Sequence, residues 1–159
     1  MKYWLMKTEP SVYSIEDLKN SKEQKTCWEG VRNYQARNFM RDEMKLGDKV
    51  IFYHSNTKPP AAVAVCEVCK ESYPDFTAFD KNSKYYDPKS KKDSPVWFMV
   101  DLKFVEEFSN YVSLDAMKKM EELQSMKLLQ KGNRLSVMPI TKKEFEIIVN
   151  EGKKSNFKS

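Results

Sequence analysis

Few side chains in this 159-residue chain are placed by type and spacing to do covalent or metal chemistry. Cys66 and Cys69 join Cys27 and His54 in a formal Cys₃His set of the kind that holds zinc. Their surroundings argue against it. The pair falls in a run that reads as a strand, where residues three apart point to opposite faces, and no glycine nearby offers the turn a zinc knuckle needs. We therefore expect three free thiols, no disulfide framework and no metal. His54 is the single histidine, so any Cys–His or Ser–His–Asp constellation would have to use it. No Gly-x-Ser-x-Gly elbow accompanies a serine. Neither the P-loop nor the dinucleotide glycine pattern is present, so no cofactor is implied. His54 reads as a hydrogen-bonding residue at a strand end.

A different chemistry is suggested by WEGVRNYQARN, residues 28–38. Trp28 and Tyr34 are readable as core aromatics or as stacking surfaces. Arg32, Asn33, Gln35, Arg37 and Asn38 are harder to bury without purpose. On a helix starting near Asn33, Asn33 and Arg37 share a face, close to backbone N–H groups that favour anions. Amide side chains pair with base edges, and aromatic rings and guanidinium planes stack on bases. A second cluster is Tyr53, His54, Ser55 and Asn56. A third runs from Ser72 through Asp75, Asp80, Tyr85, Tyr86 and Asp87. Gly132, Asn133, Arg134, Leu135 and Ser136 add a basic segment, and Trp97 faces away from the apolar side of its strand. Together these groups suit capture of one flat, polar ring, a nucleobase, in a pocket.

Composition is compatible with that reading. Hydrophobic residues make up 40% and charged residues 32%, with 4 glycines and 7 prolines, which describes one folded domain and excludes low complexity. A net charge of +5 permits a polyanionic partner. No apolar run approaches the roughly 18 residues that span a bilayer, and the N-terminus is not a signal peptide. A cytoplasmic protein, or a nuclear one in a eukaryote, is the default, with no membrane partner.

The elements that must hold these residues read as a mixed series. Strands are expected at Tyr3–Lys7, Lys49–Tyr53, Ala62–Glu71, Val96–Phe104 and Leu135–Ile140. Ser14 with Asp17 opens a short helix to about Asn20, and a polar connection follows to Lys25. Asn33 opens a helix ending before Gly47. Ser113 opens another through Met120, and Leu123–Gln130 reads as a further helical stretch. Thr141 with Glu144 forms a capping box for the last helix, which ends at Gly152. Ser72–Ser94 is a long polar loop. Strands in hairpin-like succession with peripheral helices predict an α+β fold.

The segments KYWLMKTEP, SIEDL, WEGVRNYQARNFMR, GDKVIFYHSN, SYPD followed by YYDP, WFMVDLKFVE and RLSVMPIT resemble, in this order, the EVE domain of the PUA-like superfamily, whose eukaryotic relatives form the thymocyte nuclear protein 1 family. The resemblance covers about residues 1–150. It implies a PUA-like pseudo-barrel of mixed strands with helices around it, expected over residues 1–152; the lysine-rich residues 153–159 read by composition as a basic flexible tail. It is similar to the YTH domain, which reads methylated adenine in RNA, and to the SRA domain, which flips methylated cytosine from DNA. The implied function is non-catalytic recognition of a modified base, with DNA favoured over RNA and 5-methylcytosine or 5-hydroxymethylcytosine as ligands. On this reading Trp28, Asn33, Tyr34, Tyr53, His54, Ser55, Asn56 and Trp97 line the base pocket. Arg32, Arg37, Arg134 and Ser136 meet the backbone or a base edge, and Gly30 supplies a tight turn. The family's glycines after the Pro59-Pro60 turn are replaced here by Ala61–Ala64, which bears on pocket shape more than on fold.

Other readings stay open at this stage. An RNA reader, a sensor of a free nucleotide and a small hydrolase acting on a modified nucleoside each fit the same pocket. The hydrolase would draw on Lys7, Thr8 and Glu9, as ASCH-domain relatives draw on Lys, Thr and Glu, although consecutive strand residues rarely converge. A monomer is the default expectation.

Overall fold

The computed structural model describes residues 1–154. Of the expected tail, residues 155–159 lie outside the described residues. The chain runs through β1 (Tyr3–Thr8), α1 (Ile15–Lys19), β2 (Lys25–Cys27), α2 (Tyr34–Asn38), β3 (Lys49–His54), β4 (Ala61–Pro74), β5 (Phe98–Ser113), α3 (Leu114–Lys118), β6 (Val137–Ile140) and α4 (Lys142–Gly152). The strands make one sheet in the order β2-β5-β4-β3-β1-β6. Every pairing is antiparallel except that of β1 with β3. This is the expected α+β architecture.

Alternation along the strands divides the interior in two. Trp4 and Met6 of β1 join Val50, Phe52, Cys66 and Val100 in a first core. Leu5, between them, joins Ile51, Val65, Phe108 and Ile148 in a second. The second core is covered by α4, which packs on β5 and β4. Both expected capping boxes form, Ser14 with Asp17 and Thr141 with Glu144.

The sheet is strongly curled. Trp28 continues the β2 ladder, its N–H donating to Val100 O at 2.9 Å. In a flat sheet the β2 line and β3 would stand about 14 Å apart, three spacings of about 4.8 Å. Yet the Trp28 and Phe52 rings meet edge to face at 5.6 Å. Curling brings the outer strand over the middle of the sheet, the pseudo-barrel that the resemblance implied.

Several elements depart from expectation. The helix expected to reach Gly47 ends at Asn38 and widens into a π turn at Phe39–Glu43. The wider turn lets Phe39, Met40 and Met44 all reach the first core. β5 extends past Phe104 to Ser113, through a polar stretch that hides its period, and its pairing with β4 carries several bulges. Leu123–Gln130 is no helix; single 3₁₀ turns stand at Glu121–Leu123 and Lys127–Leu129. β2 arises beside the segment read as a connection, because the free edge of β5 supplies its hydrogen bonds.

Candidate functional site

The curl leaves a mouth at one end of the sheet. There the end of β1, the exit from β3 and the entry to β6 are tied together: Ser55 N–H donates to Thr8 O at 2.9 Å and Lys7 N–H to Ser136 O at 2.8 Å. The chain leaving β2, residues 28–32, forms the opposite wall. Between them lies a cleft of about 540 Å³, within the roughly 300–1,000 Å³ of small-ligand sites. Trp28, only 7% exposed, forms its floor. Glu29, Lys84 and Arg134 stand exposed at its edges, with Val12 half-exposed beside them.

One buried carboxylate holds the wall of residues 28–32 in shape. Asp75, fully buried, accepts from Gly30 N–H at 2.8 Å, from Arg32 Nη1 at 3.0 Å and from Thr77 N–H at 2.9 Å. Burial opposes its ionisation, but the Thr77 hydroxyl, the Gly30 N–H and Arg32 outweigh burial and hold it below the ordinary carboxylate value. Gly30 has φ +84°, and a Cβ there would lie 2.5 Å from the Tyr85 ring. Glycine is therefore required both for the turn and for Tyr85 to lie flat against the backbone. Arg32 also donates to Tyr85 O at 2.7 Å, and its guanidinium sits 5.5 Å from the Tyr85 ring and 5.2 Å from that of Trp97.

Two polar groups of the cleft have no protein partner among the described residues. The Lys7 ammonium meets no acceptor among the described residues, and burial lowers its pKa. The Tyr13 hydroxyl is buried and unpaired. Glu29 is shifted upward, by burial first and then by the Asp75 carboxylate. Burial, with help from Glu29 and Asp101, pushes the Cys27 thiol up to about 11. Among the described residues no three His, Cys, Asp or Glu side chains are grouped to hold a metal ion.

Five of the twelve residues assigned from sequence line the cleft: Trp28, Arg32, Ser55, Arg134 and Ser136. The others are elsewhere. Strand alternation sends Tyr53 to the second core, 2% exposed and outside the cleft. His54 Nε2 accepts from Ile15 N–H at 3.1 Å and so caps α1 instead of facing the cleft. Asn33 spends its carbonyl on the Ala36 N–H, as the N-cap of α2. Asn56 donates to Glu9. Trp97 is 5% exposed behind Arg32, its indole N–H donating to Asp87 at 2.7 Å. Tyr34 stacks on the far side of Trp97, and Arg37 donates to Val96 O at 2.9 Å beside them. Helical spacing could not reveal that this face of α2 packs on Trp97 and Val96 and does not line the cleft.

Sequence reasoning missed Tyr13 and Lys84; it weighed Lys7, Thr8 and Glu9 only for a hydrolase and Tyr85 only as part of a loop cluster, and all six line the cleft. Lys7 and Thr8 close β1 and Glu9 follows it, and all three border the cleft. The Thr8 hydroxyl donates to Tyr13 O at 2.9 Å, and Glu9 accepts from Asn56. The signal for Tyr85 was present in Gly30, a glycine whose absent side chain leaves room for a ring.

A curled mixed sheet whose open end carries a cationic, aromatic-walled cleft defines the class of fold. The family is defined by comparison: the EVE domain profile matches residues 2–151, and the chain belongs to the EVE-domain family. Thymocyte nuclear protein 1 of Rattus norvegicus is 47% identical, over 93% of this chain and 72% of its own length. A protein from Leishmania major superposes with a TM-score of 0.90 at 46% identity, covering 96% of this chain and 95% of that one. The human THYN1 protein, solved in complex with 5-methylcytosine-containing DNA, superposes with a TM-score of 0.89 at 42% identity, covering 98% and 99%.

Proposed function

We propose that this chain is a non-catalytic DNA-binding module that recognises a modified cytosine, taken out of the base stack into the cleft. The observation that carries this reading is that human THYN1, alike over nearly the whole chain, binds 5-methylcytosine-containing DNA in its solved structure. The cleft supplies what the task requires. Trp28 and Tyr85 offer aromatic surface, worth about 1–3 kcal/mol per stacked base and comparable to the few kcal/mol that flipping costs. Lys7, Glu29, Ser55 and the Tyr13 hydroxyl supply donors and acceptors for a base edge. Lys84 and Arg134 stand at the edge for phosphates. No helix among the described residues is long and apolar enough to cross a membrane. In a eukaryote the ligand would be met in the nucleus.

Binding to matched oligonucleotides tests the proposal. DNA carrying cytosine, 5-methylcytosine or 5-hydroxymethylcytosine is compared with RNA carrying N6-methyladenine. A preference of about tenfold, roughly 1.4 kcal/mol, for one modified cytosine is expected. Equal affinity for all of them, or a preference for the RNA, would overturn it. Affinity should also fall steeply with salt, which would separate polymer binding from capture of a free nucleotide.

A further inference from the structure

Tyr34, the first residue of α2, is the most exposed aromatic ring in the described chain, at 60%. It is nonetheless held in place. One face stacks on Trp97, with centroids 4.9 Å apart and planes 20° apart. Trp97 is fixed in turn by Asp87 and by the Arg32 guanidinium 5.2 Å away. The Arg37 guanidinium lies 4.8 Å from the Tyr34 centroid but also 5.9 Å from that of Trp97. Those two distances place Arg37 beside the pair of rings, not over the outer face of Tyr34. Arg37 is anchored there by Val96 O and by Asn38. The result is a solvent-facing ring with a rigid backing and a cation on its flank.

A chain of packed groups links this platform to the cleft. Tyr85 lines the cleft, Arg32 lies 5.5 Å from Tyr85 and 5.2 Å from Trp97, and Tyr34 stacks beyond Trp97. We propose that the outer face of Tyr34 is a second nucleobase-stacking site, taking a base that flanks the one in the cleft, with Arg37 beside it for the phosphodiester. The inference rests on the DNA-binding reading above. Its chemistry is that of single-strand recognition, in which an aromatic face holds any base and a neighbouring cation tracks the backbone. It supplies affinity without reading sequence, whereas the cleft reads the modification.

The test places 2-aminopurine, whose emission is quenched by stacking, at successive positions on either side of a 5-methylcytosine in a DNA oligonucleotide. Binding by the wild-type chain is expected to quench emission at one flanking position. Tyr34→Ala should abolish that quench and weaken oligonucleotide binding by roughly tenfold. Its affinity for 5-methyl-2′-deoxycytidine monophosphate, which fills only the cleft, should match that of the wild type. Tyr34→Phe should restore both the quench and the affinity. Unchanged oligonucleotide affinity and emission in Tyr34→Ala would overturn the second site alone. Equal weakening for oligonucleotide and mononucleotide would also overturn it, by showing that Tyr34 acts through Trp97 on the cleft. A flanking quench without any preference for the modified base would keep the second site and remove the base-reading role. Absence of DNA binding by the wild-type chain would remove both.

Discussion

The two faces of the curled sheet contrast in what they ask of their residues. The face covered by α4 is filled by Leu5, Ile51, Val65, Phe108 and Ile148, apolar groups that need only volume and contact. The other face begins in the same way, with Trp4, Phe52 and Val100, but opens at one end into the cleft. There a fully buried carboxylate, a left-handed glycine and a half-buried lysine stand in place of hydrocarbon. Phe52 and Tyr53 show how fine the division is: adjacent in β3, they serve opposite faces, and only Phe52 touches the floor of the cleft through Trp28. One face is specified by pattern, the other by individual partners.

Substitutions that act on one face and spare the other sharpen this contrast. The largest effect is expected from Asp75→Ala, which leaves Arg32 and the Gly30 N–H without their acceptor. Loss of about 3–5 kcal/mol in urea unfolding is expected, as for other broken buried pairs, together with loss of base binding. A stable variant with unaltered binding would show that Asp75 does not organise the wall. Ile148→Ala, on the closed face, should cost about 2–5 kcal/mol yet leave the DNA affinity of the folded protein as it was. A large change in that affinity would mean the two faces are coupled. Gly30→Ala should cost about 1–3 kcal/mol through strain at positive φ and displace Tyr85, so binding should weaken more than stability does. Arg134→Ala should leave the melting temperature almost unchanged and reduce the slope of log affinity against log salt by about one. An unchanged slope would take Arg134 out of phosphate contact.

The smallest effect concerns pH. Burial holds His54 below its ordinary value, against the opposing influence of Glu107. The unfolded chain, with an imidazole near about 6.5, therefore takes up a proton before the folded one does. Stability should be full above about pH 6.5 and decline as pH falls through the folded value. Unfolding compared at about pH 7.5 and about pH 5.5 should show this decline in the wild type and a flatter response in His54→Gln. A wild type as stable at the lower pH would contradict the role of neutral Nε2 as acceptor for Ile15.

How much was legible follows the same division. The strands with clean alternation, the capping boxes and the α+β class could be read because local pattern determines them. The extended half of β5 could not, since Glu106 and Glu107 break its hydrophobic period while pairing with Val65 and Ala64 of β4. Trp28, Arg32, Ser55, Arg134 and Ser136 were legible as polar and aromatic punctuation near strand ends. Tyr53, Asn33 and His54 lie outside the cleft, because residue type does not say which face a strand offers or whether a side chain is used up as a cap; for His54 the plainer reading, a hydrogen-bonding residue at a strand end, describes its place. Tyr85 and Lys7 were named in the sequence but not assigned to the pocket, for the opposite reason. One depends on a ring meeting a glycine 55 residues away, and the other on a strand ending one residue later.

The order of strands has one more consequence. The two that flank the sheet, β2 and β6, are its shortest, at 3 and 4 residues. β6 also carries Pro139, opposite Trp4, and a proline has no N–H to offer. β2 pairs with only three residues of β5 and β6 with only four of β1, so each border strand is too brief, and β6 too interrupted, to template another chain. The protein's borders guard it against self-association into β-aggregates, and lengthening either border strand is where that protection would first be lost.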